Sequence, residues 1–310
     1  MKNVVVTGAT SFIGMHLIKE CLKNNCVVIA VVRPNSKNLD RLPKNNFLTI
    51  LEIDIKKIEK IIDKIEIKKI DVFYHLAWDG VRLPYRNDTI LQNENYNCAV
   101  NTMKAAKLLE CDTFIGAGSQ AEYGKCVGKI NESYPAKPIT EYGKAKLKTY
   151  QTLRKIAKEN SMKFIWARIF SVYGIYDYRG TLVMSTLEKM IKNESIQLTK
   201  CAQNWDFIYV EDLTRAMYLL ANTSCIDGIY NIASGESRQL KEFVIDMKNI
   251  CKSKSELQFG AIPYNSEGVI SFEPIVDKLK QNTGWSCNVA FKEGIKKILE
   301  FNTLEPLLNE

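Results

Sequence analysis

Apolar residues fall into two patterns that alternate along the chain. Short β-branched runs recur at Val4–Val6, Val27–Val32, Phe47–Ile50, Val72–Leu76, Thr113–Ile115 and Lys163–Ile169. Between them, at Phe12–Lys23, Ile55–Ile65, Thr89–Leu109 and Glu141–Asn160, apolar positions recur three and four residues apart. The first pattern reads as buried strands and the second as amphipathic helices. Strands alternating with helices predict an α/β fold, a doubly wound parallel sheet covered on both faces. After about residue 170 the alternation loosens, and GIYNIASG at 228–235 then reads as a strand returning to the sheet.

The turn TGATSFIG at 7–14 follows the first strand and opens the first helix. In a Rossmann-like unit such a turn brings backbone N–H groups and a helix N-terminus onto a dinucleotide's pyrophosphate. Gly8 suits the tight turn and Gly14 a close approach of helix and strand. Ser11 stands where a middle glycine is usual; it is small, a good N-cap and able to donate to phosphate. Thr10, Phe12 and Ile13 complete the expected cofactor contacts of this turn. The expected organisation is a dinucleotide-binding domain of residues 1–169 plus about 206–234. A smaller C-terminal substrate-binding lobe is expected from about 170–205 plus 235–310.

The second strand ends VVRPNSK, with Arg33 where NAD-binding chains usually carry an acid for the ribose 2′-hydroxyl. Arginine there suits the 2′-phosphate of NADP, with Ser36 or Lys37 assisting. Asp54, next to Ile55, either accepts from the adenine amino group or caps the following helix; the sequence leaves both open. Leu76, Ala77 and Trp78 end the apolar run DVFYHLAW and are expected to face the ribose and nicotinamide. His75 within that run reads as a satisfied core histidine rather than a base. In TEYGKAKLKT, Tyr142 and Lys146 lie one helical turn apart on one face.

Composition narrows the classes. With 46% hydrophobic and 25% charged residues among 310, the chain suits a soluble domain with a sizeable core. Its longest apolar runs are too short to span a bilayer, and MKNVVVTG offers no signal-peptide pattern. Nine cysteines without a CxxC pair point to reduced thiols in the cytoplasm, and neither they nor two histidines suggest a metal site. The net charge of +8 is spread out, with no basic and aromatic cluster of the kind that binds nucleic acid. It reads as a solvated surface, or in part as an attraction for an anionic small molecule.

Together, TGATSFIG, HLAW, GAGSQAEYG, EYGKAK, RIFSVYG, WDFIYVEDL and GIYNIASG resemble the extended short-chain dehydrogenase/reductase superfamily, from the first strand to about residue 300. The resemblance implies that Tyr142 is the catalytic acid/base. Lys146 then binds the nicotinamide ribose and lowers the tyrosine's pKa, and Ser119 hydrogen-bonds the substrate oxygen. It further implies that Asn95 supports the cofactor site and that Phe170 and Val172 offer backbone groups to the carboxamide. Trp78, Asp79, Gln120, Ser171 and Arg179 are expected to touch substrate, the loops at 77–86 and 176–180 shaping its pocket. Family dehydratases carry an Asp-Glu pair where this chain has Gln120 and Ala121, so elimination of water is not expected.

One departure concerns the substrate's carrier. Trp205 stands where the family often has an arginine gripping a diphosphate, and a second arginine ahead of Asp277 is missing. Arg179, Lys200 or Arg238 are expected to substitute. The resemblance implies NADPH-dependent reduction of the C4 keto group of a nucleotide-linked 4-keto-6-deoxy sugar, by a cytoplasmic homodimer. The alternatives are a nucleotide-sugar epimerase with tightly bound NAD and a non-catalytic NADP-binding relative.

Overall fold

The computed structural model describes residues 1–67, 69–264 and 268–308. Its strands are β1 (Asn3–Thr7), β2 (Val27–Val32), β3 (Leu48–Glu52), β4 (Val72–His75), β5 (Thr113–Ser119), β6 (Val127–Ile130), β7 (Lys163–Ile169), β8 (Ser171–Tyr173), β9 (Ile196–Leu198), β10 (Asn204–Trp205), β11 (Phe207–Tyr209), β12 (Gly228–Ile232), β13 (Arg238–Gln239), β14 (Leu257–Phe259) and β15 (Ser271–Pro274). The α-helices are α1 (Phe12–Lys23), α2 (Ile61–Lys64), α3 (Thr89–Leu108), α4 (Glu141–Glu159), α5 (Leu182–Ile191), α6 (Val210–Asn222), α7 (Leu240–Cys251), α8 (Asp277–Thr283) and α9 (Phe291–Leu308).

Seven strands form one sheet in the order β12-β7-β5-β4-β1-β2-β3. Every neighbouring pair is parallel. Runs such as VVV in β1 and VVIAVV in β2 are β-branched and buried on both faces, as an interior parallel strand requires. Side chains of α1 and α6 cover one face of the sheet, around Met15, Leu17, Leu213 and Met217. Those of α3 and α4 cover the other, around Met103, Ala106, Tyr150 and Leu153. Because β1 lies between β2 and β4, the winding direction reverses there, which opens a crevice beyond the C-terminal ends of those strands. A further apolar cluster joins Val183, Leu187, Phe243, Met247, Phe291 and Ile295 from α5, α7 and α9.

The six strand runs and the helices at 12–23, 89–109 and 141–160 appear within two residues at most ends, β5 alone running four residues further. The segment 55–65 differs. It is a 3₁₀ turn, Ile55–Lys60, with Lys57 outside helical geometry, followed by the single turn of α2. Asp54 caps Lys56 N at 3.0 Å, and isoleucines at 55, 58, 61 and 62 are poor helix formers. Short pairings that apolar periodicity does not reveal tie the later chain together: β8 with β11, β9 with β14, β10 with β13, and β6 with β15. Among the described residues, no helix is long and apolar enough to cross a membrane.

Candidate active site

The crevice begins at the turn after β1. Gly8 has φ +67°, and Ser11 caps α1, its Oγ accepting from Gly14 N at 3.1 Å. A Cβ on Gly14 would run into the Gly8 carbonyl oxygen, so only glycine lets α1 start this close to β1. Thr10 Oγ1 and Ser36 Oγ are 2.9 Å apart, tying this turn to the loop after β2. A cavity of about 170 Å³ lies against Gly8, Thr10, Ser11, Arg33, Ile55, Leu76, Ala77, Trp78 and Asn95. Asn95 clamps the loop after β4 from two sides, accepting from Asp79 N at 3.0 Å and donating to Asp79 O at 2.8 Å.

Several expected cofactor contacts do not line this cavity. Phe12 and Ile13 pack into apolar clusters, and Gly14 lies behind the turn. Asp54 acts as the cap described above. The Phe170 side chain is buried against Tyr123 and Phe272 and that of Val172 packs between two cores, an arrangement compatible with the backbone role expected of both. Arg33 is exposed, and its nearest acid is Asp79, at 3.9 Å. Asp79, expected to touch substrate, lines this same cavity, its backbone held by Asn95.

Ser119 ends β5 and Tyr142 and Lys146 lie on the first turns of α4, whose N-cap Thr140 accepts from Gly143 N at 3.1 Å. The three are brought together. Ser119 is near enough to Tyr142 to favour its phenolate. Lys146 Nζ donates to Ala117 O at 2.7 Å and sits 3.6 Å above the centre of the Trp78 ring. Trp78 meets the Tyr142 ring edge-on at 6.2 Å and donates from Nε1 to Gln92 Oε1 at 2.9 Å. The indole thus seats both side chains.

In the protein alone, burial dominates at Tyr142. Burial raises the Tyr142 pKa; Ser119 and the nearby Arg86 charge oppose that rise, and Glu122 adds to it. The Arg86 guanidinium stands 5.1 Å and Lys146 Nζ 5.8 Å from the Tyr142 ring centre. Burial lowers Lys146 itself to about 7, with Glu122 resisting, so it is a weak source of positive charge at neutral pH. The protein alone therefore holds a protonated phenol.

A larger cavity of about 910 Å³ opens beyond Gln120. Val81, Arg82, Leu83 and Arg86 of the loop at 77–86 and Tyr178 and Gly180 of the loop at 176–180 line it, as expected. Its cations are Arg82, Arg86 and Lys189, and no Asp or Glu lines it among the described residues. Arg179, Lys200 and Ser171 do not line it. Arg238 is turned away, pairing with Asp246 at 2.7 Å and stacking on Phe243. Trp205 does line the cavity, its ring 4.5 Å from Phe272.

The family model described as "NAD dependent epimerase/dehydratase family" matches residues 4–233. The chain belongs to that family. It is 28% identical over 303 residues to CDP-abequose synthase of Salmonella muenchen, covering 96% of this chain and 97% of that protein. It is 27% identical over 314 residues to dTDP-4-dehydro-6-deoxyglucose reductase of Escherichia coli, covering 96% of each. Its fold superposes on a UDP-glucose 4-epimerase of Thermotoga maritima solved with UDP-glucose, with TM-score 0.88, 24% identity and coverage of 98% of this chain and 99% of that one.

The residues present fit the family's nicotinamide dinucleotide. The turn at Gly8 leaves no room for a side chain, since a Cβ there would stand 2.8 Å from Ala77 N, and the α1 N-terminus faces the same cavity. Two features escaped the sequence reading. Gln92 holds Trp78 and also donates to Gly80 O and Tyr85 O, at 2.9 and 3.1 Å. Glu122 lies under Ser119; the spacing S-x-x-E at 119–122 was a readable sign, a capping box that the structure forms.

His75 is buried as expected, with Nδ1 3.0 Å from Thr7 Oγ1, but its Nε2 has no partner, so it is only half satisfied. Burial lowers its pKa to about 3. Between about 3 and the unfolded value near 6.5 the unfolded chain binds the extra proton. His75 therefore costs stability as the pH falls through that window. Urea denaturation at pH 7 and pH 4.5 is expected to show this loss, and His75→Gln to reduce the difference. An unchanged difference would place the acid sensitivity elsewhere.

Proposed function

We propose that this protein is an NADPH-dependent reductase of the C4 keto group of a nucleotide-linked 4-keto-6-deoxy sugar. The observation that carries this reading is the large cavity that reaches Gln120, the neighbour of Ser119, and Arg86, which stands 5.1 Å from the Tyr142 ring centre, with three cations and no described carboxylate on its walls. Such a wall suits a diphosphate, and its volume suits a sugar nucleotide rather than a small carbonyl compound. Arg82, Arg86 and Lys189 then take the place of the arginine replaced by Trp205. Residues 170–205 with 235–310 serve as the substrate-binding lobe. The named activities of the Salmonella and Escherichia coli relatives, at 28% and 27% identity, point the same way.

The dinucleotide supplies the hydride when bound. Gly8, Thr10, Ser11, Leu76, Ala77 and Trp78 would hold it, with Arg33 at the 2′-phosphate and Lys146 at the ribose. Ser119 Oγ accepts from Ala121 N at 3.2 Å, which leaves its O–H to donate to the substrate oxygen. Tyr142 holds the proton that this oxygen receives. Gln120 and Ala121 carry no acid beside it. The only nearby carboxylate in this turn, Glu122, is fully buried and committed to Arg168 and Trp166, so the turn offers no second proton donor for elimination.

The test is a panel of nucleotide-linked 4-keto sugars with NADPH or NADH, followed by loss of reduced-nicotinamide absorbance. Faster turnover with NADPH is expected. Lys189→Ala is expected to raise KM about tenfold with kcat nearly unchanged, the mark of a lost ground-state phosphate contact. Protein that purifies with NAD and interconverts sugar nucleotides without added reductant would instead establish an epimerase.

A further inference from the structure

We propose that Glu122 is a positioning residue of this site: its buried carboxylate fixes the turn that carries the Ser119 hydroxyl and supplies the counter-charge that faces Lys146. The inference rests on the reading of Ser119, Tyr142 and Lys146 as the reacting set and assigns a role beyond it.

The carboxylate is fully buried. One oxygen accepts from Ser119 N at 2.8 Å and from Trp166 Nε1 at 2.9 Å; the other accepts from Arg168 Nε at 2.8 Å. Ser119 returns the contact, its Oγ accepting from Ala121 N, so backbone and hydroxyl are both held in one closed turn. The strand beneath is built to admit this group. A Cβ on Gly118 would meet Trp166 Nε1 and stand 2.7 Å from the Glu122 carboxylate, so the GAG of β5 makes room for the indole and the acid together. A solvent-facing capping glutamate needs no such cradle.

The charges around the pair leave Glu122 a second task. Arg86 approaches Tyr142 from the loop after β4, Arg168 faces Glu122 from β7, Tyr123 stacks on Arg168 at 4.4 Å, and His75 lies in the field of Lys146. Lys146 Nζ lies 6.0 Å from the centre of the Trp166 ring, whose Nε1 donates to Glu122, so within that set Glu122 is the carboxylate whose charge reaches Lys146 and Tyr142. Burial works against the Lys146 ammonium, whose direct partners are the Ala117 carbonyl and the Trp78 face. Loss of that anion would weaken the ammonium form further, and a neutral amine is a poorer donor to a ribose hydroxyl.

The variants are Glu122→Gln and Glu122→Gln/Arg168→Met, the second removing both charges so that no ion is left unpaired. Lysine labelled at 13Cε reports Lys146 directly, its resonance identified by its loss in Lys146→Met. This readout needs neither substrate nor cofactor. The Lys146 midpoint is expected near neutrality in the parent and about one unit lower in the double variant. The pH profile of NADPH-dependent reduction should move down with it, and kcat should fall about tenfold with little change in KM. An unmoved midpoint in a folded double variant would overturn the electrostatic role. A kcat within twofold of the parent would overturn the positioning role. A parent inactive on every sugar would count against the proposed function while leaving the lysine titration to decide the charge role.

Discussion

Tyr142→Phe is expected to lower kcat for NADPH-dependent reduction by about 10²–10⁴-fold, the range for loss of a positioned general acid. NADPH affinity, read by quenching of reduced-nicotinamide fluorescence, should change little. The change removes one oxygen from a ring that packs edge-on against Trp78 and lies under Arg86, so it opens no cavity. Its direction follows from the protonation state. Burial raises the phenol's pKa, with Ser119 and Arg86 only partly opposing, so the group enters the reaction carrying its proton. That is the form needed to protonate the oxygen of a reduced carbonyl. An epimerase cycle begins by removing a proton from a sugar hydroxyl, which asks the same phenol to act first as a base. If Tyr142→Phe retained more than about a tenth of the parent kcat, proton delivery would have to come from another group.

The sheet was legible because parallel strands are buried on both faces and so read as uninterrupted β-branched runs; β2 and β7 match their predicted limits. The Gly8–Gly14 turn and the Tyr142–Lys146 spacing were legible for a related reason. Each is a local geometry, one strand-to-helix turn or one helical turn, that fixes residue type at fixed offset. What escaped notice depends on contacts between distant segments. Lys189 reaches the cavity wall only because α5 packs in the third cluster, and Arg82 and Arg86 sit in a loop with no periodic signal. The strand pairs β6–β15 and β9–β14 join residues more than fifty positions apart and are three or four residues long. Sequence spacing shows that Tyr142 and Lys146 are close, while burial, which spacing does not reveal, decides which form each prefers.

Arg168→Met is expected to destabilise the protein by about 3–5 kcal/mol in urea denaturation, the usual cost of leaving one half of a buried ion pair without its partner. Arg168 and Glu122 are 2% and 0% exposed and meet at 2.8 Å. Water cannot reach the carboxylate that the substitution strands, although Ser119 N and Trp166 Nε1 still donate to it. Adding Glu122→Gln should recover most of the loss, because an amide oxygen accepts the same two hydrogen bonds with no net charge to bury. The remaining deficit would reflect the lost stacking of the guanidinium on Tyr123, 4.4 Å from the ring centre. A single variant that loses less than about 1 kcal/mol would show that the pair is open to solvent in solution. The order of the two results matters for function: a pair that costs much to break and little to replace contributes little net stability, so its presence beneath Ser119 is better explained by what its charge does for Lys146.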